Sequence, residues 1–202
     1  SRRPARRARG SAAGLRVPFW TVDADVVVPT RLLAKEHYAA RTIRPKIHAL
    51  LPKFLQRLPN RVAKVKWRDA VSSLAPTTNL LNRIQLDRSV EPVSGFTGGA
   101  AAARSTLRRF VRDRLAGYAA RRNQPDLEAT SQLSPYLHFG QIGPVSVALA
   151  VKNADAPAAD KKAFLEELIV RRELAINFVR YNSSYDGSDA CEPWADRSLR
   201  LH

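Results

Sequence analysis

The run TSQLSPYLHFGQIGP, Thr130–Pro144, decides how this chain is read. Ser134 followed by Pro135 is the signature of a helix start. A serine side chain accepts from free N–H groups there, and proline fits the first helical position, where its missing N–H costs nothing. Such a start gathers unpaired donors at the positive end of a dipole, which suits an anion, phosphate above all. The hydroxyls of Thr130, Ser131 and Ser134 add donors to the same place. Read by itself, the run is equally a capped loop between two helices.

Composition narrows the classes. The chain has 202 residues, 45% hydrophobic and 26% charged, which is globular and not disordered. No run approaches the roughly 18 apolar residues of a membrane span, and the start has no secretory core. The single Cys191 excludes an internal disulfide and points to an intracellular, reducing compartment, cytoplasm or nucleus. The four histidines are scattered without zinc spacing, which argues against a metal site. Lys and Arg number 34 against 18 Asp and Glu, a formal charge of +16. An excess of that size, mostly arginine, favours a polyanion: nucleic acid or a membrane surface.

The order of patterns is mainly α. Residues 1–16 carry six arginines without hydrophobic periodicity and read as a basic arm or linker. VPFWTVDADVVVP (17–29) is β-branched and predicts one or two short strands. In 40–58, Pro45 is expected early in a helix, and Ile47, Leu50, Leu51, Phe54 and Leu58 form an apolar face. Prolines and glycines break 59–99 into a long connection, with a helical turn expected at Leu80–Leu86. Ala100–Arg122 predicts one helix, with Leu107, Phe110, Val111, Leu115 and Tyr118 on one face and Arg104, Arg108, Arg109, Arg112 and Arg114 on the other. Helices are also expected at 144–153, at 161–182, where the broad apolar face predicts burial, and from Pro193 onward.

Taken together, TSQLSPYLHFG, FLEELIVRREL (164–174) and NFVRYN (177–182) resemble the flavin-binding half of the DNA photolyase/cryptochrome family, closest to the class II cyclobutane pyrimidine dimer photolyases. VDADVVVP followed by YAARTIRPKIHALLPKFL resembles that class's passage out of an N-terminal α/β domain. LDRSVEPVSGFTGGAAA, LRRFV and RLAGYAARRNQP resemble the opening of its helical domain. The likeness covers about residues 17–202, in order and with the family's spacing.

The resemblance implies a fold: residues 17–75 as the exit of a Rossmann-like α/β domain with a connecting helix, and 76–202 as the first part of an all-helical FAD-binding domain. It also implies that an antenna-carrying domain precedes residue 17, that the other half of the helical domain follows His202, and that this stretch is inactive by itself. By the same resemblance Tyr118, Thr130, Ser131, Gln132, Leu133 and Ser134 contact FAD. Glu167 is the catalytic carboxylate that hydrogen-bonds a flipped-out dimer. Arg122, Asn123, Glu167, Arg171, Arg172 and Asn177 face the DNA or rim the cavity.

The implied activity is light-driven splitting of cyclobutane pyrimidine dimers by electron transfer from reduced FAD, with an antenna chromophore as a second pigment. The implied partner is double-stranded DNA containing dimers, bound by a monomer away from membranes. Gln132 stands where the class often has a smaller polar residue, Arg171 where some members have an aromatic, and Ile176 where many have Asp. Trp194 is expected as a structural aromatic. A cryptochrome-like photoreceptor and a flavin-free basic helical nucleic-acid-binding protein are the other two readings.

Overall fold

The computed structural model describes residues 22–57, 59, 62–65, 83, 85, 87, 89–91, 93–187 and 190–201. The basic arm, residues 17–21 of the expected strands, Leu58, Trp20, Trp67 and all but Arg83 and Gln85 of the Leu80–Leu86 turn lie outside them. The described residues fall into two units: the larger gathers those up to Arg57 and from Gly98 onward, the smaller those of Leu58–Thr97. In the smaller unit no described residue is helix or strand, and Ser89 N–H donates to Asp87 Oδ1 at 2.9 Å.

The larger unit is helical, with no strand among its described residues. A 3-10 turn at Thr30–Leu32 precedes helix α1, Ala40–Phe54. Pro45 sits inside α1 and not in its first turn, and Pro52 lies further along. Both prolines fall on the exposed side with Arg41 and His48, so the carbonyls they leave without donors face water. The opposite side buries Ala40, Ile43 and Ile47, with Leu50, Leu51 and Phe54 packed at the margin of the core.

Helix α2 spans Ala100–Asp113 and buries Ala103, Thr106, Leu107 and Phe110. It does not run on to residue 122 as its periodicity suggests. The N–H groups of Arg114 and Leu115 both reach back to the Phe110 carbonyl, at 3.0 and 2.9 Å. Gly117 then takes φ +83°, a left-handed turn that only glycine adopts without strain. A side chain there would also strike the Arg121 guanidinium, whose Nη2 lies 2.9 Å from where a Cβ would be. The new direction starts helix α3, Tyr118–Arg121.

Helices α4, Ser134–His138, and α5, Pro144–Lys152, follow. The helix expected over 161–182 starts earlier, at Ala158, and is three pieces: α6, Ala158–Leu165, a π-helical segment, Glu166–Arg171, and α7, Arg172–Tyr181. Its expected burial holds for Phe164, Leu168 and Ile169, while Leu165 and Phe178 are only partly buried; Val170 is buried as well. The last helix, α8, covers Pro193–Leu201 and buries nothing; Trp194 is exposed there.

The core joins these elements around three rings. Phe110 lies 4.8 Å from Phe164 between centroids, and Tyr118 packs edge-on against both, at 5.8 and 5.4 Å. Edge-to-face pairs of this kind add to the burial of their area.

The expected strands are corrected in their described part. Val26, Val27 and Val28 are buried, as β-branched residues favour, but no neighbouring strand pairs with them. Their backbone is met instead by side chains of α7. Glu173 Oε1 accepts from Val27 and Val28 N–H at 2.8 and 3.1 Å. Asn177, only 1% exposed, accepts from His37 N–H at 2.8 Å and donates to the Lys35 carbonyl at 3.0 Å. Arg180 donates to Thr30 Oγ1, Tyr181 to the Leu33 carbonyl, and Arg172 to the Asp25 carbonyl. One face of α7 thus takes the place of the missing ladder.

Glu173 is buried, and its Oε2 has no hydrogen-bond partner among the described residues. Burial pushes its carboxyl up from 4.5 to about 7, against the pull of the two amides and of Arg172. The sign follows: below about pH 4.5 the carboxyl is neutral in both states. Above it the unfolded chain ionises first, so folding loses stability until the folded group titrates near pH 7. Denaturant unfolding between pH 4.5 and 7.5 is expected to show a loss of up to about 3 kcal/mol from this group. Glu173→Gln keeps an acceptor for both valine amides and should flatten that slope.

Candidate functional site

The site is built where α3 meets the π-helical segment. Asp160, in the first turn of α6, places Tyr118. Its Oδ2 accepts from Gly117 N–H at 2.8 Å and its Oδ1 from Ala119 N–H at 2.7 Å. Those amides lie on either side of Tyr118, so one carboxylate sets the backbone from which the ring projects. The ring is buried against Phe110 and Phe164, and the Arg122 guanidinium lies beside its hydroxyl. Burial pushes the Tyr118 hydroxyl pKa up, so it remains a neutral donor in the physiological range.

Arg122 also holds the carboxylate at the centre of the sequence reading. Its Nη1 donates to Glu167 Oε1 at 2.6 Å. Tyr118, Arg122 and Glu167 therefore form one connected polar cluster at the border of the core. The Glu167 side chain is 41% exposed, so its second oxygen can meet a ligand from solvent. The neighbouring carboxylate goes elsewhere: Glu166 is gripped by Arg44 of α1, with Nη2 at 2.7 Å and Nε within 3.2 Å of both oxygens. This fork holds the Glu166 carboxyl below the usual carboxylate range. Both glutamates lie in the π-helical segment, and single π turns recur at functional sites.

The hydroxyl-rich run takes a form the sequence did not suggest. Ser134 is the first residue of α4 and makes no capping bond; Leu133 precedes it in helical conformation. Ser131 supplies the local contact instead, its Oγ accepting from Leu133 N–H at 3.3 Å. Gln132 has φ +56°, a left-handed conformation rare outside glycine, and its side chain is exposed. Thr130 and Ser134 are exposed as well, while Leu133 is buried in the same core as Tyr118. The result is a surface row of two hydroxyls and an amide anchored by one buried leucine. None of those three side chains bonds to another described residue, which leaves a donor set suited to phosphate oxygens.

The other expected DNA contacts divide. Asn123 and Arg171 are exposed, with Arg171 Nε 4.0 Å from Glu166. Arg172 is tied to Asp25, and Asn177 is buried with its amide spent on backbone, so these two secure the 25–37 segment. Sequence reading missed Asp160, Glu166 with Arg44, and Glu173. Asp160 had a faint signal, an acid in a first helical turn after Pro157, but nothing local shows that it reaches back to residues 117–119.

The chain is 38% identical over 188 residues to a deoxyribodipyrimidine photo-lyase of Potorous tridactylus, covering 92% of this chain and 35% of that protein. It is 37% identical over 195 residues to the protein of that name from Methanothermobacter thermautotrophicus, covering 95% and 42%. To that of Arabidopsis thaliana it is 38% identical over 193 residues, covering 90% and 38%. The chain belongs to the photolyase family. It spans between 35% and 42% of the length of these three relatives. Among solved structures, a bacterial class III photolyase from Agrobacterium tumefaciens matches 52% of this chain and 24% of its own at 28% identity, with a TM-score of 0.41. No family model matches. Among the described residues no helix is long and apolar enough to cross a membrane, and no group of His, Cys, Asp and Glu could hold a metal ion.

The Asp160 cap gives a test of how Tyr118 is held. Hydrogen bonds from Ala119 and Gly117 keep its carboxyl below the usual carboxylate range. Its stabilising effect is thus complete above the unfolded value, near 3.8, and is lost as pH falls through the lower folded one. Asp160→Asn should remove that acid-side loss. Amide exchange at Gly117 and Ala119 should quicken on the order of tenfold or more as their shared acceptor weakens.

Proposed function

We propose that this chain carries the flavin- and lesion-contacting part of a class II-like DNA photolyase, which splits cyclobutane pyrimidine dimers in double-stranded DNA under blue or near-ultraviolet light. The observation that carries the reading is the Tyr118–Arg122–Glu167 cluster, in a chain of this family, with a carboxylate that is oriented yet open to solvent. Tyr118 and the Thr130–Ser134 row would hold FAD. The donors present fit its diphosphate, and Leu133 and the Tyr118 ring supply apolar surface beside it. Reduced FAD, when bound, supplies one electron to the dimer and takes it back, so the reaction has no net redox change.

The protein's own residues bind and orient. Arg122 fixes one oxygen of Glu167, leaving the other to hydrogen-bond the edge of a flipped-out pyrimidine and to follow charge as it develops there. Asn123 and Arg171, both exposed, would meet the strand on either side, while the net charge of +16 holds the duplex through its phosphates.

The chain mixed with excess FAD and freed of unbound flavin is expected to stay yellow. Thr130→Ala with Ser134→Ala should weaken that retention by about tenfold. An oligonucleotide containing one dimer should bind more tightly than its undamaged twin, and Glu167→Gln should abolish the difference. In a protein that carries this stretch together with the rest of the helical domain, illuminated repair, read as recovery of base absorbance with the reduced flavin present, should slow by about 100-fold in the same variant. A colourless chain that binds both oligonucleotides equally would sink the proposal.

A further inference from the structure

A separate groove of about 470 Å³ opens between α2 and the turn that leads into α5. Arg104 and Arg108 stand on one wall, one helical turn apart; Gln141 and Ser146 form the other, and Leu107 and Ile142 the floor. None of these residues belongs to the Tyr118–Arg122–Glu167 cluster or to the Thr130–Ser134 row. The polar complement is one-sided. No carboxylate lines the groove, and neither arginine has an ion pair among the described residues. Gln141 has already spent its oxygen on Gly99 N–H at 2.8 Å, so what it offers is its NH2 group. Ser146 is exposed and adds a hydroxyl.

Two like charges at i and i+4 repel each other, and no carboxylate of the described residues pairs with either here. The nearest acid along the helix, Asp113, is held by Arg112 at 2.6 Å. A tetrahedral anion between two guanidinium forks would satisfy both, with the amide and hydroxyl as further donors. The apolar floor suits the body of a larger molecule that carries the anion.

We propose that this groove is a second phosphate-binding site, taking the phosphate of a nucleotide, whether free or within a strand, and acting independently of flavin and of any lesion. Calorimetric titration of the chain in the dark, without flavin, tests this with two probes at constant ionic strength: inorganic pyrophosphate and an undamaged single-stranded oligodeoxynucleotide. The paired change Arg104→Gln with Arg108→Gln should weaken the groove's probe about tenfold or more, the equivalent of one lost charge-assisted hydrogen bond.

Ser146→Asp should do the same by bringing a negative charge to the groove. An acid in the first turn of α5 is favoured there, so this variant should fold. Arg109→Gln removes the same charge from the same helix outside the groove and should change affinity less than about twofold. Loss confined to pyrophosphate identifies a free phosphate ester; loss that extends to the oligonucleotide identifies a strand. If neither probe responds to the groove variants, or Arg109→Gln weakens binding as much as they do, the site does not exist. Since no arm uses FAD or a dimer, that failure is distinct from failure of the photolyase reading.

Discussion

Buried backbone amides must find acceptors, and in this protein the helical stretch from Ala158 to Tyr181 supplies them from its side chains. Asp160 takes the amides on either side of Tyr118, Glu173 those of Val27 and Val28, and Asn177 that of His37. Three polar residues on one continuous stretch thereby place two irregular segments, 25–37 and 114–119, against the same core. Neither segment has a ladder or a long helix of its own to satisfy it. Without these acceptors, burying Val28 or Tyr118 would carry unsatisfied N–H groups into the interior, at about 1–3 kcal/mol each. The aromatic triangle of Phe110, Tyr118 and Phe164 depends on the same arrangement, because Asp160 sets where the Tyr118 ring begins.

The π-helical segment separates two kinds of electrostatic work within that stretch. Glu166 is held in a fork by Arg44 and ties α1 to the middle of the long stretch. Glu167, one residue later, pairs with Arg122 through one oxygen and leaves the other facing outward. One glutamate is committed to the fold and the other is oriented but still available. A regular α-helix would put these two residues about 100° apart on adjacent faces. In the π-helical turn they likewise point apart, and each meets its own partner, Arg44 in α1 and Arg122 just after α3. The site therefore rests on local geometry as much as on which residues are present.

Much of this was legible in the sequence where a period was long enough to read. The apolar faces of α1 and α2, the helix after Pro144 and the burial of Phe164, Leu168 and Ile169 follow from spacing alone. The places where reading went astray share a cause: the deciding contact is distant in sequence. Val26–Val28 have strand composition, yet their acceptor lies 146 and 145 residues away on Glu173. The helix from Ala100 looked continuous because Leu115 and Tyr118 keep its period, while Gly117 and Asp160 turn the chain. Asn177 resembled a cavity residue, and only its two backbone partners show where its amide is spent. Tyr118, Arg122 and Glu167 could be named one by one from the sequence but not as one polar cluster.

The charge of +16 gains meaning once its arginines are sorted by partner. Arg44, Arg112, Arg114, Arg122, Arg172 and Arg200 each sit within 4.0 Å of a carboxylate oxygen, so their charge is largely answered inside the protein. Arg104, Arg108 and Arg109, successive along the exposed side of α2, have no such neighbour among the described residues. A polyanion meets the second set first, because ion pairs already formed add little field at a distance of a Debye length. The buried side of α2 carries Phe110 and thus supports Tyr118, so these arginines and the packing behind the cluster that orients Glu167 lie on the two sides of one helix.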